Sequence, residues 1–236
     1  DILRQNRFLR KVYKSWYAEI WRQLPDIPGQ VLELGSGAGF FKEYVPDLIT
    51  SEILEIHGVD LVASALALHC RDRSLRAIVM TNVLHHIPRV ACFFREADRC
   101  LVDGGKVILV EPWITDWSRF IYARLHHEPM DPGAPGWDFA SHGPVSGANE
   151  ALPWIVFSRD RVRFEREFSN LEITRIQPIM PFLYLLSGGF TSRFAFPEQT
   201  FGLWVQTEKL LARWRNRLAL FAVISLTKIS PTNMPQ

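Results

Sequence analysis

The sequence predicts an α/β fold built on a doubly wound, mostly parallel sheet. An apolar strand runs directly into three alternating glycines, an acid ends the next strand at the spacing of a βαβ unit, and a later buried-strand pattern is followed by polar residues. The chain has 236 residues, of which 47% are hydrophobic and 22% charged. That length supports one sizeable core, so we expect a single domain over residues 1–236.

The first 27 residues predict an amphipathic helix that ends near Leu24–Pro25. Apolar and basic side chains alternate there with helical spacing, and the apolar core and small-residue cleavage site of a signal peptide are absent. The basic face is either an approach surface for an anionic substrate or lipid, or a solvated face above a helix that caps the sheet. We favour the second interpretation.

The most informative segment is Val31–Glu43, in which an apolar strand leads into Gly35, Gly37 and Gly39. Glycine permits positive φ and a close approach of the backbone to a ligand, so we expect a nucleotide-like cofactor here. The dinucleotide fingerprint needs a further glycine where this chain has Phe40, which disfavours a nicotinamide cofactor.

The pattern Glu33-x-Gly35-x-Gly37-x-Gly39 resembles the first motif of class I S-adenosylmethionine-dependent methyltransferases. The resemblance implies that the loop, with Ser36, holds the methionine end of the cofactor and that Glu33 lies near its ammonium group. It also implies a seven-stranded sheet with an antiparallel last strand. Residues 171–176 can supply the sixth strand, after a helix over 160–168, and residues 218–226 the seventh.

Glu52 ends the second predicted strand, 13 residues after Gly39. A carboxylate at that place can bind both ribose hydroxyls, and the alternative is an ordinary surface glutamate. The resemblance extends cofactor contacts to the neighbouring Ile53 and, on the adenine side, to Ala63 and Ser64. The family often carries an acid where Ser64 stands, although a serine hydroxyl can also accept a hydrogen bond.

The next strand pattern is followed by Asn82, His85 and His86, which we expect on the cofactor side because ligands collect at the carboxyl ends of parallel strands. Asn82 is a candidate cofactor contact. His86 is a candidate base or a packed histidine, and we favour packing. After a helix over 91–101 and a turn at 103–105, a fifth strand over 106–112 carries Glu111, which could bind substrate, act as a base or hydrogen-bond the loop.

Two insertions interrupt the second half of the chain. Residues 113–153 follow the cofactor-binding half (28–112) and predict a lid-like irregular loop rich in proline and glycine; residues 178–217 lie inside the C-terminal half (154–236) and include a helix over 200–217. In the first insertion, His126 and His127 are candidate general bases. Adjacent histidines without helical spacing do not favour a metal, so we predict none. Aromatic side chains in the second insertion form a pocket for a partly apolar molecule, or pack it onto the sheet.

These features predict transfer of a methyl group from S-adenosylmethionine to a small-molecule, lipid-linked or glycan-linked acceptor. A cofactor-binding partner subunit without activity and a nicotinamide oxidoreductase are the alternatives. The net charge of +2 is too small to indicate nucleic acid, and the longest apolar run is far shorter than the roughly 20 residues of a membrane span. Three scattered cysteines favour the reducing cytoplasm.

Overall fold

The computed structural model describes residues 2–37, 39–125, 129–141, 143, 147–189 and 195–230. In this part of the chain, seven strands form a single sheet in the order β3-β2-β1-β4-β5-β7-β6. The strands are β1 (Gln30–Leu34), β2 (Ile49–Glu52), β3 (Leu61–Val62), β4 (Leu75–Thr81), β5 (Leu101–Pro112), β6 (Leu171–Ile179) and β7 (Phe221–Lys228). Only β7 runs antiparallel to its neighbours, which confirms the predicted fold class.

Helices cover both faces of this sheet. The helices are α1 (Ile2–Gln5), α2 (Arg7–Gln23), α3 (Val90–Cys100), α4 (Asp116–Leu125), α5 (Leu152–Trp154), α6 (Arg161–Glu167), α7 (Leu183–Leu186), α8 (Phe201–Leu210) and α9 (Arg215–Leu218). A π-helical turn over Ile155–Arg159 joins α5 to α6. No described helix combines the length and the apolar character needed to cross a bilayer.

One face of the sheet packs against α3, the π-helical turn and α6. Four phenylalanine rings meet there, with Phe94 at the centre and Phe157, Phe164 and Phe168 around it at centroid distances of 5.0–5.8 Å. All of these side chains are buried. Fully burying each such ring contributes about 1.5 to 3 kcal/mol, so this cluster is a major source of stability on that face.

The opposite face packs against α2. Asn6 begins this helix by accepting a hydrogen bond from the Leu9 amide at 2.9 Å, which satisfies one of its free N–H groups. Trp16, at mid-helix, is fully buried; its ring stacks on Tyr184 at a centroid distance of 5.7 Å and packs at a tilt against Phe221 at 5.0 Å. The predicted amphipathic helix is therefore a covering layer of the sheet.

The fifth and sixth strands differ in extent from the sequence prediction. The turn at 103–105 lies inside β5, where Leu75 pairs with Leu101 and Ala77 already with Lys106, so the extra residues bulge out. The sixth strand continues past Ile176 to Ile179 and includes Pro178. Proline is tolerated there because β6 is an edge strand and needs no donor on its outer side.

The two insertions also contain different local structure from that expected. The first begins with helix α4, because its prolines and glycines start only at Pro129. In the second, the expected single helix over 200–217 is divided into α8, a 3-10 turn at Ala212–Trp214 and α9. Phe201, Trp204 and Val205 of α8 pack partly on the core, but this stripe ends before the 3-10 turn, so it does not hold the whole segment straight.

Candidate cofactor and active site

A cavity of about 670 Å³ opens at the carboxyl ends of β1, β2, β3 and β4. Its wall is formed by Leu34, Gly35, Glu52, Ile53, Ala63, Ser64, Ala65, Leu66, Asn82, Val83, His86, Ile87, Pro88, Arg89, Phe139, Ser141 and Gly143. Seven of the candidate residues named from the sequence therefore line one cavity: Gly35, Glu52, Ile53, Ala63, Ser64, Asn82 and His86.

Each of the three glycines that follow β1 is required for a different steric reason. Gly35 has φ of +70°, and a Cβ there would lie 2.4 Å from a methyl carbon of Val83. Gly37 has φ of +49°, which L side chains rarely adopt. At Gly39 a Cβ would lie 2.5 Å from the Tyr17 hydroxyl. The loop can therefore keep this path only with glycine at all three places.

The Glu52 carboxylate connects the end of β2 to the glycine loop. Its Oε1 accepts a hydrogen bond from the Gly37 amide at 2.7 Å, and its Oε2 accepts one from the Ile53 amide at 3.2 Å. Each oxygen of a carboxylate has two lone pairs, so both can still accept a bond from a ligand. Glu52 is thus held in place with both oxygens available to a diol.

Two buried serines hold the loop against the sheet. The Ser36 hydroxyl accepts from the Ser51 amide at 3.1 Å, and the Ser51 hydroxyl donates to the Glu33 carbonyl at 2.8 Å. The Gly39 amide donates to the Ser36 carbonyl at 2.8 Å and closes the turn. Ser36 therefore supports the loop from beneath and does not line the cavity.

Glu33 is only 3% exposed, and its Oε2 atom has no hydrogen-bond partner among the described residues. The pKa of Glu33 is raised to about 8, mainly by burial; a hydrogen bond from the Ser36 side chain lowers this pKa, and the negative charge of Glu52 adds a smaller rise. A buried carboxyl group with one unpartnered oxygen, beside the glycine loop, is a potential contact for a cationic group.

The side of the cavity opposite the glycine loop is formed by the segment after β3. The Ala63 amide donates to the Glu52 carbonyl at 2.8 Å, which ties this segment to β2. The Ser64 hydroxyl accepts from the Leu66 amide at 3.2 Å. This local bond uses one lone pair of Ser64 and leaves its hydroxyl hydrogen for another acceptor.

Asn82 lies directly after β4 in a left-handed conformation, with φ of +58°. Its amide donates to the Val110 carbonyl at 2.9 Å, while its buried Oδ1 has no hydrogen-bond partner in the described part of the chain. The Tyr13 hydroxyl of α2 interacts with the Asn82 side chain. Burial raises the pKa of Tyr13 well above its usual value, so the phenol stays neutral.

Glu111 lies under the turn after β4 and is fully buried. Its Oε1 accepts from the amides of Val83 and Leu84, both at 2.8 Å, and its Oε2 lies 2.7 Å from Nδ1 of His85. A second buried carboxylate, that of Glu150, lies 3.8 Å from Nε2 of His85. Glu111 therefore contacts the turn and not the cavity.

The two adjacent histidines occupy different environments. His85 is buried between the two carboxylates, whereas His86 lines the cavity and its Nδ1 lies 3.3 Å from the Gly147 carbonyl. Their rings are 4.2 Å apart. His126 and His127, the other candidate bases, lie outside the described residues.

The first insertion contributes part of the cavity wall. The Phe139 amide donates to the Pro88 carbonyl at 3.2 Å, and Asp138 forms an isolated β-bridge with Arg89. Phe139, Ser141 and Gly143 then line the cavity. Among the residues that the structure describes, no three His, Cys, Asp or Glu side chains cluster as a metal site.

Several residues around the cavity were not named from the sequence. Tyr13 and Tyr17 of α2 reach Asn82 and Gly39, and Tyr17 also interacts with the Phe40 backbone. Phe139 comes from the first insertion. The helical spacing of apolar residues predicts that both tyrosines lie on the buried face of α2. This spacing does not show which buried hydroxyl groups lie near a binding site.

A family model described as a methyltransferase domain matches residues 5–150 of this chain. The matched region includes every candidate site residue named above. No curated protein matches the sequence.

Solved structures share the fold at low sequence identity. A possible histamine N-methyltransferase from Thermotoga maritima is 18% identical, with a TM-score of 0.55 over 95% of this chain and 93% of that one. An S-adenosylmethionine-dependent methyltransferase from Mesorhizobium loti is 16% identical, with a TM-score of 0.51 over 89% of this chain and 96% of that one. Geranyl diphosphate C-methyltransferase from Streptomyces coelicolor A3(2) is 12% identical, with a TM-score of 0.50 over 94% of this chain and 81% of that one. That structure contains Mg²⁺, geranyl diphosphate and S-adenosyl-L-homocysteine.

Proposed function

The chain belongs to the methyltransferase domain family, and from this we propose that it transfers a methyl group from S-adenosylmethionine to a small-molecule, lipid-linked or glycan-linked acceptor. The observation that carries the proposal is the bridge from Glu52 to the Gly37 amide at the mouth of the cavity. It fixes a carboxylate between a glycine loop and the next strand, where a ribose diol would bind.

The described residues fit this cofactor in charge and in shape. The carboxyl groups of Glu33 and Glu52 lie close enough to interact electrostatically, and a cationic group bound beside them would favour the charged form of Glu33. The unpartnered oxygens of Glu33 and Asn82 would gain donors. Gly35 and Val83 both line the cavity, and the absent Cβ of Gly35 lets the Val83 side chain pack against the loop there.

We assign the contacts by position along the cavity. Glu52 would accept from the ribose hydroxyls, and Ile53, Ala63 and Ser64 would contact the adenine. The loop of Gly35, Ser36, Gly37 and Gly39, with Glu33 and Asn82 behind it, would hold the methionine end. When bound, the cofactor supplies an electrophilic methyl group for in-line attack by the acceptor.

The protein then has to orient the acceptor, exclude water and accept a proton where the acceptor carries one. His86 is the candidate for the last role within the described residues, because its ring lines the cavity. The proposal retains His126 and His127 as further candidates. Glu111 would act as a positioning residue, because both of its oxygens hold the turn that carries His85 and His86.

The two insertions would cover the acceptor. Phe139 and its neighbours already close one side of the cavity. In the second insertion, Phe182 packs between Trp117 of α4 and Trp204 of α8 at 6.0 and 6.5 Å. These rings form an apolar surface at the carboxyl edge of β5 and β6, which supports a partly apolar acceptor.

The cofactor assignment is tested by isothermal titration with S-adenosylhomocysteine. Replacing Glu52 with alanine removes two charge-assisted hydrogen bonds to the ribose, so we expect binding to weaken by about 1.5 to 3 kcal/mol, or roughly 10- to 150-fold. Glu55→Ala is the matched control, because Glu55 is exposed and lies outside the cavity wall. Equal affinity in the Glu52→Ala and Glu55→Ala variants would overturn the placement of the ribose.

The acceptor class is tested by following the transfer of label from methyl-tritiated S-adenosylmethionine to the molecules of a cell extract. Organic extraction separates lipid-linked products from water-soluble ones, so the labelled fraction identifies the class. We expect label in one of these two fractions with wild-type protein and a loss of most of it with Glu52→Ala. Label found only in the protein or nucleic acid fraction would contradict the proposal.

A further inference from the structure

Helix α8 and the chain that leads from it into β7 form an unusual surface. The segment over 201–218 lies wholly within the described residues, is rich in apolar side chains, and buries none of them fully. Leu203 is 67% exposed, Leu210 80% and Trp214 42%. Phe201, Trp204 and Val205 of the same segment pack against the core. The three exposed side chains therefore lie on its outer side, and grouped exposed apolar side chains mark a candidate interaction site.

The surface continues onto α4, which contacts α9. Phe120 of α4 is 47% exposed and stacks on Trp117 at 5.7 Å. We call the combined surface of α4, α8 and α9 the basic-apolar face. Its apolar members are Phe120, Leu203, Leu210 and Trp214.

Cations surround these apolar side chains. The exposed basic residues of the basic-apolar face are Arg119, Arg124, Lys209, Arg213, Arg215 and Arg217. Within the three helices and the turn between α8 and α9, all of them described, Asp116 is the only exposed carboxylate. Two guanidinium groups lie over exposed rings, Arg213 at 4.0 Å from the Trp214 centroid and Arg124 at 4.1 Å from that of Phe120. The face therefore combines a positive charge with exposed aromatic and aliphatic groups.

Topology places this face beside the cofactor cavity. Helix α4 follows the carboxyl end of β5, α7 and α8 follow that of β6, and α9 leads into β7, which begins opposite Pro112. The cavity lies at the carboxyl ends of β1, β2 and β4 in the same sheet. A flat partner on the basic-apolar face would thus lie at the same end of the sheet as the cavity.

We propose that the basic-apolar face docks the protein onto an anionic lipid bilayer. Tryptophan and leucine side chains enter the headgroup boundary of a membrane, and arginine and lysine pair with anionic headgroups around them. This inference deepens the proposed function and rests on it, because it names a lipid-linked acceptor that is presented to the cavity by the bilayer.

The experiment is vesicle co-sedimentation of the full chain. One set of vesicles contains phosphatidylcholine alone, and the other contains equal amounts of phosphatidylcholine and phosphatidylglycerol. We expect the protein to bind the anionic set at least tenfold more tightly, and we expect added salt to weaken this binding because it screens the charges. Equal binding to both sets, or no binding to the anionic set, would overturn the proposal.

The double variant Leu210→Asp, Arg213→Glu tests the surface itself, with Val162→Asp, Arg166→Glu as its matched control. The control pair is exposed on α6, which precedes the amino end of β6, whereas α8 follows the carboxyl end of that strand. We expect the first variant to lose at least tenfold in vesicle binding and the control to keep wild-type binding. Equal binding by both variants would contradict the proposal.

Two further measurements separate the alternatives. Sedimentation velocity without lipid tests whether a second copy of the chain binds the basic-apolar face instead. A dimer that is abolished only by the Leu210→Asp, Arg213→Glu variant would overturn the membrane assignment.

Titration with S-adenosylhomocysteine in both variants tests the cavity independently. Loss of vesicle binding with intact cofactor affinity is the expected result, whereas vesicle binding without any cofactor affinity would refute the proposed function and leave the docking surface standing.

Discussion

At the scale of single residues, two carboxyl groups of the cavity differ in environment. Glu52 is half-buried and accepts two amide hydrogen bonds, whereas Glu33 is buried with one oxygen unpartnered. Desolvation disfavours the charged form of an acid, so Glu33 holds its proton well above the usual range. The glycine loop therefore lies between a partly exposed carboxyl group and a buried one whose protonation depends on what binds beside it.

Glu33 should make stability depend on pH. Folding raises its pKa from 4.5 to about 8, so the folded state keeps a proton that the unfolded chain releases. The protein without cofactor should lose stability as the pH rises from about 4.5 to about 8. Glu33→Gln removes this loss and should raise the free energy of unfolding at pH 8 by on the order of 1 to 2 kcal/mol.

Urea unfolding of wild type and variant at pH 5 and pH 8 checks this prediction. The difference between the two proteins should be larger at pH 8 than at pH 5. Glu55→Gln is the control, since Glu55 is exposed and should show the same small difference at both values. A Glu33→Gln variant whose stability relative to wild type is independent of pH would contradict the raised pKa.

Seven of the residues that line the cavity could be named from the sequence because their positions follow from local patterns. Three alternating glycines and an acid at the end of the next strand are visible without knowing any contact. Tyr13 and Phe139 reach the same cavity from distant parts of the chain, and only the tertiary packing brings them there. For the same reason, the sequence left open what Glu111 contacts.

At the scale of elements, the turn after β4 depends on one buried carboxylate. Glu111 accepts the amides of Val83 and Leu84, and it also contacts His85. These bonds replace the pairing that the strand loses where it ends. The turn then carries His86 to the cavity wall.

Glu111→Ala should therefore destabilise this turn first. It leaves two buried amides unpaired and His85 without its nearest carboxylate, which should cost about 3 to 5 kcal/mol. Amide hydrogen exchange at Val83 and Leu84 should accelerate more than exchange in α6. Asp116→Ala, at an exposed carboxylate, is the control and should change neither quantity appreciably.

The strands of the first half were predictable because each is a short apolar run bounded by turn residues. The predicted strand and helix boundaries were wrong where tertiary contacts determine where the element ends. Pro178 stays in a strand only because β6 is an edge, and α8 and α9 separate because no buried stripe spans them. Neither condition is encoded in local propensity.

At the scale of the whole molecule, α2 completes one layer of the fold. Trp16 is fully buried against the sheet and against α7, whereas Trp21 on the same helix is 53% exposed. Because Trp16 and Trp21 are the same residue type on the same helix, comparing their variants isolates the effect of burial on stability. The basic face predicted for this helix is its outer side.

Trp16→Ala should cost about 3 to 5 kcal/mol of unfolding free energy, because it opens a cavity between α2 and the sheet. Trp21→Ala should change that free energy by less than about 0.5 kcal/mol. Chemical denaturation followed by circular dichroism measures both. Similar values for the two variants would show that α2 does not pack on the sheet as described.

The contact of the Tyr17 hydroxyl with the loop at Gly39 has a consequence for the protein when the cofactor is bound. Helix α2, which covers one face of the sheet, also supports the loop proposed to hold the cofactor. Occupancy and order at that end of the chain are thereby thermodynamically linked: whatever loosens residues 7–23 weakens ligand retention, and ligand retention protects residues 7–23 from fraying and proteolysis.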